Sequence, residues 1–408
     1  MDILFIGGVF PDYERDIYIK KSKGPIQFAA NTLQWNIIRG LDQTNNKPVS
    51  ILNSIFVGSY PRYYEDYYIK TIKWNHVAGA DDINVGFLNI FGIKHLWKSA
   101  SIKKQAIRWA LKQKKERKAI IVYSMHTPFI YAAAMAKRAN PEIKICLVVP
   151  DLPHFMDLSS KKKAYIDFLK KIDQATMNFF LKYVDCFVLL TQQMANAINI
   201  GEKPWIVMEG AIDPNECEVR EVQDKINAKE KVIFYSGTLN RKYGIVDLLN
   251  AFSKIEDPNY RLWICGAGEA AIDIKNLQKR DSRIKYFGQV DRSEVLELQR
   301  SSTILINPRG NTEEFTKYSF PSKIMEYLLS GTPTIVKRLP GMPEEYFKYL
   351  FTVEGDTVDN LARKIIEVCE MPSEDLFNFG IKAQEFVLKE KNKNKQTERI
   401  IKLISNTY

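Results

Sequence analysis

A chain of 408 residues with 45% hydrophobic and 12% aromatic content is globular and too long for one ordinary core, so two domains of about 200 residues are expected. Its 59 Lys and Arg against 48 Asp and Glu leave +11, which favours anionic partners: nucleotide phosphates, nucleic acid or an anionic membrane surface. Five scattered cysteines without a C-x-x-C pair, an N-terminus without a leader pattern and no run of about 18 apolar residues argue against an exported or membrane-spanning protein and for a cytoplasmic one with reduced, buried thiols.

Along the chain, short apolar runs rich in β-branched residues alternate with longer helical patterns, the signature of parallel α/β layers. Strands are predicted at 3–6, 49–53, 119–123, 143–149 and 186–190, then in a second series at 231–235, 261–265, 284–287, 304–307 and 334–336. Turn residues at 201–216 place the domain junction there. Residues 1–205 and 206–385 are therefore read as two Rossmann-like domains, and 386–408 as a helical tail.

Ligands of such sheets bind beyond the carboxyl ends of the strands, so candidate residues are sought there. His126 follows the strand at 119–123 and precedes a helix opening at Pro128, which suits hydrogen bonding to a substrate or simple packing. Asp151 and His154 repeat the pattern after the next strand. In the second half, Gly237 and Thr238 begin a strand-to-helix loop that carries Arg241 and Lys242, either a diphosphate cradle or an ordinary basic turn. Gly266 and Gly268 follow the next strand, but Ala271 occupies the third glycine position of a dinucleotide fingerprint, so the pair permits either a tight turn alone or a turn under a nucleotide. The backbone of 287–290, ending at Val290, is placed to meet a base edge.

A short helix opens at Pro321 and stops at Gly331, with Ile324, Met325, Leu328 and Leu329 on its buried face and Ser322, Lys323 and Glu326 on another. Its free N–H groups suit a phosphate, with Glu326 one turn deeper, and the plain alternative is a surface Lys323 and Glu326 pair. The stretches 94–118 and 161–171 interleave Lys and Arg with Trp, Tyr or Phe, which fits either a solvated helix face or contact with an anionic membrane.

Taken together, the loop 237–244, the segment 205–213, and Phe320-Pro321-Ser322-Lys323-Ile324-Met325-Glu326-Tyr327 with Gly331-Thr332-Pro333 resemble the family 4 retaining glycosyltransferases over most of both halves. The resemblance implies a GT-B fold, two facing Rossmann-like domains with an interdomain cleft. It also implies that Glu326 binds the nucleotide ribose, that backbone near Ser322 and Lys323 holds the diphosphate or sugar, and that His126 touches the donor sugar. Two departures stand out: Tyr318 occupies the place of the family's first glutamate, and Thr238 and Tyr243 occupy those of its phosphate cations, leaving Arg241 and Lys242 as displaced candidates and Glu313 or Glu314 as substitute acids. The implied activity is sugar transfer from a UDP- or GDP-sugar to a saccharide or polyprenyl-linked acceptor in cell-surface polysaccharide synthesis, without cofactor, metal or nucleic acid, in the cytoplasm or on the inner face of the membrane. The alternatives are a nucleotide-sugar epimerase of the same fold and a non-catalytic nucleic-acid-binding or partner subunit.

Overall fold

A computed structural model describes the chain except residues 25, 113–115, 153–163, 199, 217–229 and 312; His154, Lys161, Lys162, Lys163 and Cys217 thus lie outside the described residues. It divides into two compact units, Met1–Ala211 with Lys393–Tyr408, and Ile212–Asn392.

The first unit runs β1 (Asp2–Gly7), α1 (Arg15–Lys21), α2 (Phe28–Thr44), β2 (Ser50–Asn53), β3 (Tyr68–Ile69), β4 (Ile72–Trp74), β5 (Asp82–Asn84) and β6 (Phe87–Leu88). It continues through α3 (Lys94–Leu111), β7 (Lys118–Tyr123), α4 (Thr127–Ala139), β8 (Lys144–Val149), α5 (Ala164–Leu181), β9 (Cys186–Leu189), α6 (Met194–Ile198) and β10 (Trp205–Val207). Eight strands form one sheet in the order β10-β9-β8-β7-β1-β2-β5-β4, and β3 pairs with β6 apart from it. The central strands β1, β7 and β8 are buried almost throughout, which is why each reads as an unbroken apolar run. The chain leaves β1 toward β2 and later returns on the other side as β7, so the switch point lies between β1 and β7.

The second unit runs β11 (Lys231–Ser236), α7 (Ile245–Phe252), β12 (Tyr260–Cys265), α8 (Ala271–Gln278), β13 (Ile284–Gly288), α9 (Arg292–Ser301) and β14 (Ile304–Asn307). Then come α10 (Ser322–Leu329), β15 (Thr334–Lys337), β16 (Phe351–Val353), α11 (Val358–Cys369) and α12 (Ser373–Glu390). Its six parallel strands lie in the order β13-β12-β11-β14-β15-β16, with the switch between β11 and β14. Both sheets are thus doubly wound, and all ten predicted strands are present. The added ones, β3 to β6, β10 and β16, are two or three residues long, too short to show a period.

The expected 386–408 tail is divided by the structure. Residues up to Asn392 belong to the second unit, whereas α13 (Lys393–Ser405) packs on α2 of the first. Ile400, Leu403 and Ile404 join the core of Ile37, Ile38 and Leu41, and any side chain at Gly40 would strike the Lys393 carbonyl and Thr397. Cys146, Cys186, Cys265 and Cys369 are free and buried.

The basic stretch 94–118 is the clearest correction, because it is not simply a solvated face. Lys94, Lys98 and Lys118 are buried at 9%, 2% and 1% exposure, and their ammonium groups donate to backbone carbonyls: Lys94 to Val57, Lys98 to Ile55 and Lys118 to Trp109. Positions 94, 98, 102 and 106 repeat every fourth residue, so the lysines share the inward stripe of α3 with Ile102 and Ala106.

Candidate functional site

At the carboxyl end of the second sheet, three glycine turns are stitched side by side. Gly237 donates to the Cys265 carbonyl (3.1 Å), Leu239 to Ala267 (2.9 Å) and Gly266 to Gly288 (2.7 Å). Gly266 (φ +135°) and Gly268 (φ +156°) sit where a Cβ would overlap the carbonyls of Gly237 and Leu239. Those glycines are thus required by loop against loop packing, whatever lies above them. Thr238 is exposed, and Val290 packs on the cluster of Phe234, Cys265, Leu305 and Tyr327.

Helix α10 begins immediately after Pro321, which is its N-cap rather than its first helical residue, and no side chain caps its first turn. Phe320 is a core residue whose ring packs on Tyr346 at 5.0 Å, so only its backbone faces the turn region. Ser322 is exposed and Lys323 half-buried, and Tyr318 ends the preceding 3-10 turn, also half-buried. Glu326 Oε1 accepts from Lys323 Nζ (2.8 Å) and Gln299 Nε2 (2.6 Å), while among the described residues its Oε2 accepts no hydrogen bond. Burial opposes the charge, but Lys323 and Gln299 outweigh it and hold this carboxyl below its ordinary value. Glu326 is therefore an ionised, pre-oriented acceptor with one oxygen open.

The displaced cations are engaged with acids. Arg241 pairs with Asp273 on α8, and Lys242 Nζ lies 3.5 Å from Glu313, one of the two acids that could substitute for the family glutamate. All four side chains are at least a third exposed, so these pairs are weak and exchangeable.

Three residues of this end escape a reading of the sequence. Gln299 is fully buried on α9 and its amide bridges Glu326 and Ser236 Oγ (3.4 Å). Tyr327 OH accepts from Ser236 N (2.9 Å) and donates to Ser236 O (3.1 Å), fixing the base of the Gly237 loop from below. Arg309 stands just past β14, at the switch point, with its guanidinium 4.5 Å from the Phe315 ring and 5.2 Å from Tyr243, donating to Ser319 Oγ (2.8 Å). Strand-end position is a signal that would have found Arg309; nothing local marks Gln299.

In the first unit the switch point delivers His126 past β7. Ser124 adopts φ +73°, the one positive φ outside glycine among the described residues, and turns the chain so that His126 N-caps α4. The imidazole lies against Phe129 (4.5 Å), His95 (5.5 Å) and Phe56 (5.7 Å), and its Nδ1 is buried without a hydrogen bond among the described residues. Burial, reinforced by the charges of Lys98, His95 and Lys94, holds its pKa well below the ordinary histidine value. His126 is a neutral ring with an unused nitrogen. Asp151 is exposed just past β8.

Residues 218–386 match the family model of glycosyl transferases group 1. No curated relative matches the chain. Among solved structures, the lipopolysaccharide outer core galactosyltransferase WaaB in its apo form aligns over 100% of both chains at TM-score 0.64 and 14% identity. Sucrose-phosphate synthase of Thermosynechococcus elongatus aligns over 100% of this chain and 99% of its own at 0.64 and 14%. Anabaena HepE in complex with UDP aligns over 100% of both at 0.63 and 13%. The chain thus carries a group 1 glycosyl transferase domain over residues 218–386, within its second unit, and shares the GT-B fold of these proteins over its full length.

Proposed function

We propose that the protein is a retaining glycosyltransferase that moves a sugar from a UDP- or GDP-sugar to a saccharide or polyprenyl-linked saccharide acceptor of a cell-surface polysaccharide, in the cytoplasm. Glu326 carries the reading. One of its oxygens is held by Lys323 and Gln299 and the other is open, one turn into a helix, and a carboxylate so placed accepts the vicinal hydroxyls of a ribose. The uncapped start of α10 at Ser322 and Lys323 suits the diphosphate, and Gly237 allows its close approach. Nucleoside diphosphates in neighbouring structures support the donor class: UDP with HepE, and ADP with acarbose in starch synthase IV of Arabidopsis thaliana.

In the transfer step the bond between the anomeric carbon and the donor's diphosphate oxygen breaks, and charge gathers on the leaving diphosphate. The groups in reach of that end are Arg241, Lys242, Arg309 and the helix start, which stabilise it electrostatically without a resident cofactor. The acceptor hydroxyl attacks from the same face and loses its proton to the departing phosphate. A neutral His126 is suited to hydrogen bond a sugar hydroxyl without adding charge.

Glu326→Ala should weaken nucleotide-sugar binding by about 1–3 kcal/mol with the fold intact, measured by calorimetry over a panel of donors. Unchanged affinity would remove the ribose assignment, and a product of inverted anomeric configuration in an NMR assay would remove retention.

A further inference from the structure

Two short 3-10 turns meet beside the end of β14. The first, Arg241–Tyr243, closes the loop that starts at Gly237 and is capped by Asn240, whose side chain accepts from Lys242 N (2.9 Å). The second, Glu314–Tyr318, leads into α10. Their rings Tyr243 and Phe315 stand 6.4 Å apart, edge to face, and the half-buried Arg309 guanidinium lies against both.

The backbone fixes the same meeting point. Arg309 N donates to Asn307 Oδ1 (3.3 Å), and Gly244, at φ +78°, sits where a Cβ would lie 2.2 Å from the Pro308 carbonyl oxygen. Arg309 Nη2 donates to Ser319 Oγ (2.8 Å), which donates in turn to the Phe315 carbonyl (3.1 Å) and stands two residues before the Pro321 N-cap of α10. One guanidinium thus touches both the close of the glycine loop and the approach to the helix start.

Arg241 and Lys242 are placed differently. Both are exposed and paired with Asp273 and Glu313, so each must leave an acid and settle its rotamers before it meets a phosphate. Arg309 is already held by two rings and a hydroxyl, and a cation fixed in advance is what stabilises charge that develops only in the transition state.

We infer that Arg309 is the catalytic residue that stabilises the leaving diphosphate, with Tyr243 and Phe315 as its positioning residues, whereas Arg241 and Lys242 act mainly on donor capture. As the bond from the anomeric carbon to the diphosphate oxygen breaks, its electron pair stays on that oxygen. Arg309 donates hydrogen bonds to the phosphate and gives up no proton. The inference rests on the donor reading and divides the work among the cations within it.

The test follows release of UDP or GDP from UDP-glucose, UDP-N-acetylglucosamine and GDP-mannose, with water as acceptor, beside calorimetry of UDP, UMP, GDP and GMP. Arg309→Ala should lower kcat by about a hundredfold with KM little changed, and should lose the preference for diphosphate over monophosphate. Added guanidinium chloride should restore part of its kcat, which a merely structural role would not allow. Arg309→Lys should recover little, since an ammonium does not reproduce the fork held by the two rings. Tyr243→Leu should lower kcat, and Tyr243→Phe, which keeps the ring, should recover most of that loss. Arg241→Ala with Lys242→Ala should raise KM more than it lowers kcat. A near-wild-type kcat or a retained diphosphate preference in Arg309→Ala overturns the inference and leaves the donor reading standing. A wild type that binds no nucleotide and releases none from these donors overturns the donor reading and the inference with it. Should Arg309→Ala not fold, the Arg309→Lys, Tyr243→Leu and Tyr243→Phe comparison decides, and wild-type kcat in the first two overturns the inference.

Discussion

The carboxyl ends of the two sheets share a topology and differ in how they hold positive charge. In the second unit Arg241, Lys242 and Lys323 each lie against a carboxylate, at Asp273, Glu313 and Glu326. In the first, Lys94 and Lys98 rest on the carbonyls of Val57 and Ile55 beneath His126, and among the described residues neither has an acidic partner. The partly exposed pairs of the second unit contribute at most about 1 kcal/mol each, so a phosphate can exchange for a carboxylate there at little cost. The buried lysines of the first cannot exchange. Burial pushes Lys94 down to about 8 and Lys98 further, and burial, with the lysine charges adding to it, keeps His126 neutral. One end holds its cations in exchangeable pairs, the other holds an uncharged ring above buried lysines.

Lys98 offers the largest test of that contrast. Lys98→Ala removes a fully buried side chain lying over the Phe87 ring at 4.1 Å together with the Ile55 hydrogen bond, and should lower stability by on the order of 3 kcal/mol in thermal or urea unfolding. Lys98→Met keeps the volume without the buried charge and should recover most of that loss. It should also move the His126 titration upward in an NMR pH series. If Met is as damaging as Ala, the ammonium itself is what the site needs.

The pH dependence of the first unit sets its histidines against each other. His76 is held between Asp82 (2.7 Å) and Asp42 (2.9 Å), and although burial opposes its charge, the bonds to both carboxylates push its pKa up to about 9. Its contribution, about 2–3 kcal/mol, is full below an unfolded value of about 6.5 and is lost as pH rises through about 9. His126 runs the other way: its folded value is depressed, so stability falls as pH drops below about 6.5 and the unfolded chain takes up the proton. Unfolding titrations of His76→Gln should flatten the alkaline limb, and those of His126→Gln the acid limb.

Gln299→Leu tests the network of the second unit. Losing the bond to Glu326 should weaken donor binding by about 1 kcal/mol, less than Glu326→Ala, and the double variant should fall short of the sum. Additive losses would show that Gln299 acts independently of the carboxylate. The smallest effect on stability is expected at the basic loop, where replacing Arg241 and Lys242 by Ala should change unfolding by less than about 1 kcal/mol yet depress turnover more than either single change. Wild-type turnover in the double variant would leave the diphosphate to Arg309 and the start of α10.

The alternation of β-branched runs with helical patterns, the turns at Gly237, Gly266 and Gly331, and the Pro321 opening of α10 are local properties, and local properties are what residue type and spacing specify. That is why both sheets, the helix carrying Glu326 and the strand end carrying His126 are legible in the sequence. Contacts between distant segments decided the rest. The lysines of α3 point inward because the loop after β2 offers carbonyls to them, and composition, which counts them only as charge, does not encode that. Gln299 reaches Glu326 across 27 positions, α13 leaves the second unit to pack on α2 of the first, and Gly266 is needed because the Gly237 carbonyl lies against it. The sequence by itself determined which elements form and which polar residues stand at strand ends, since hydrophobic periodicity and backbone preference act over a few residues. Only the tertiary structure decided which of those residues are buried, paired or left open, because burial and ion pairing depend on segments brought together by the fold.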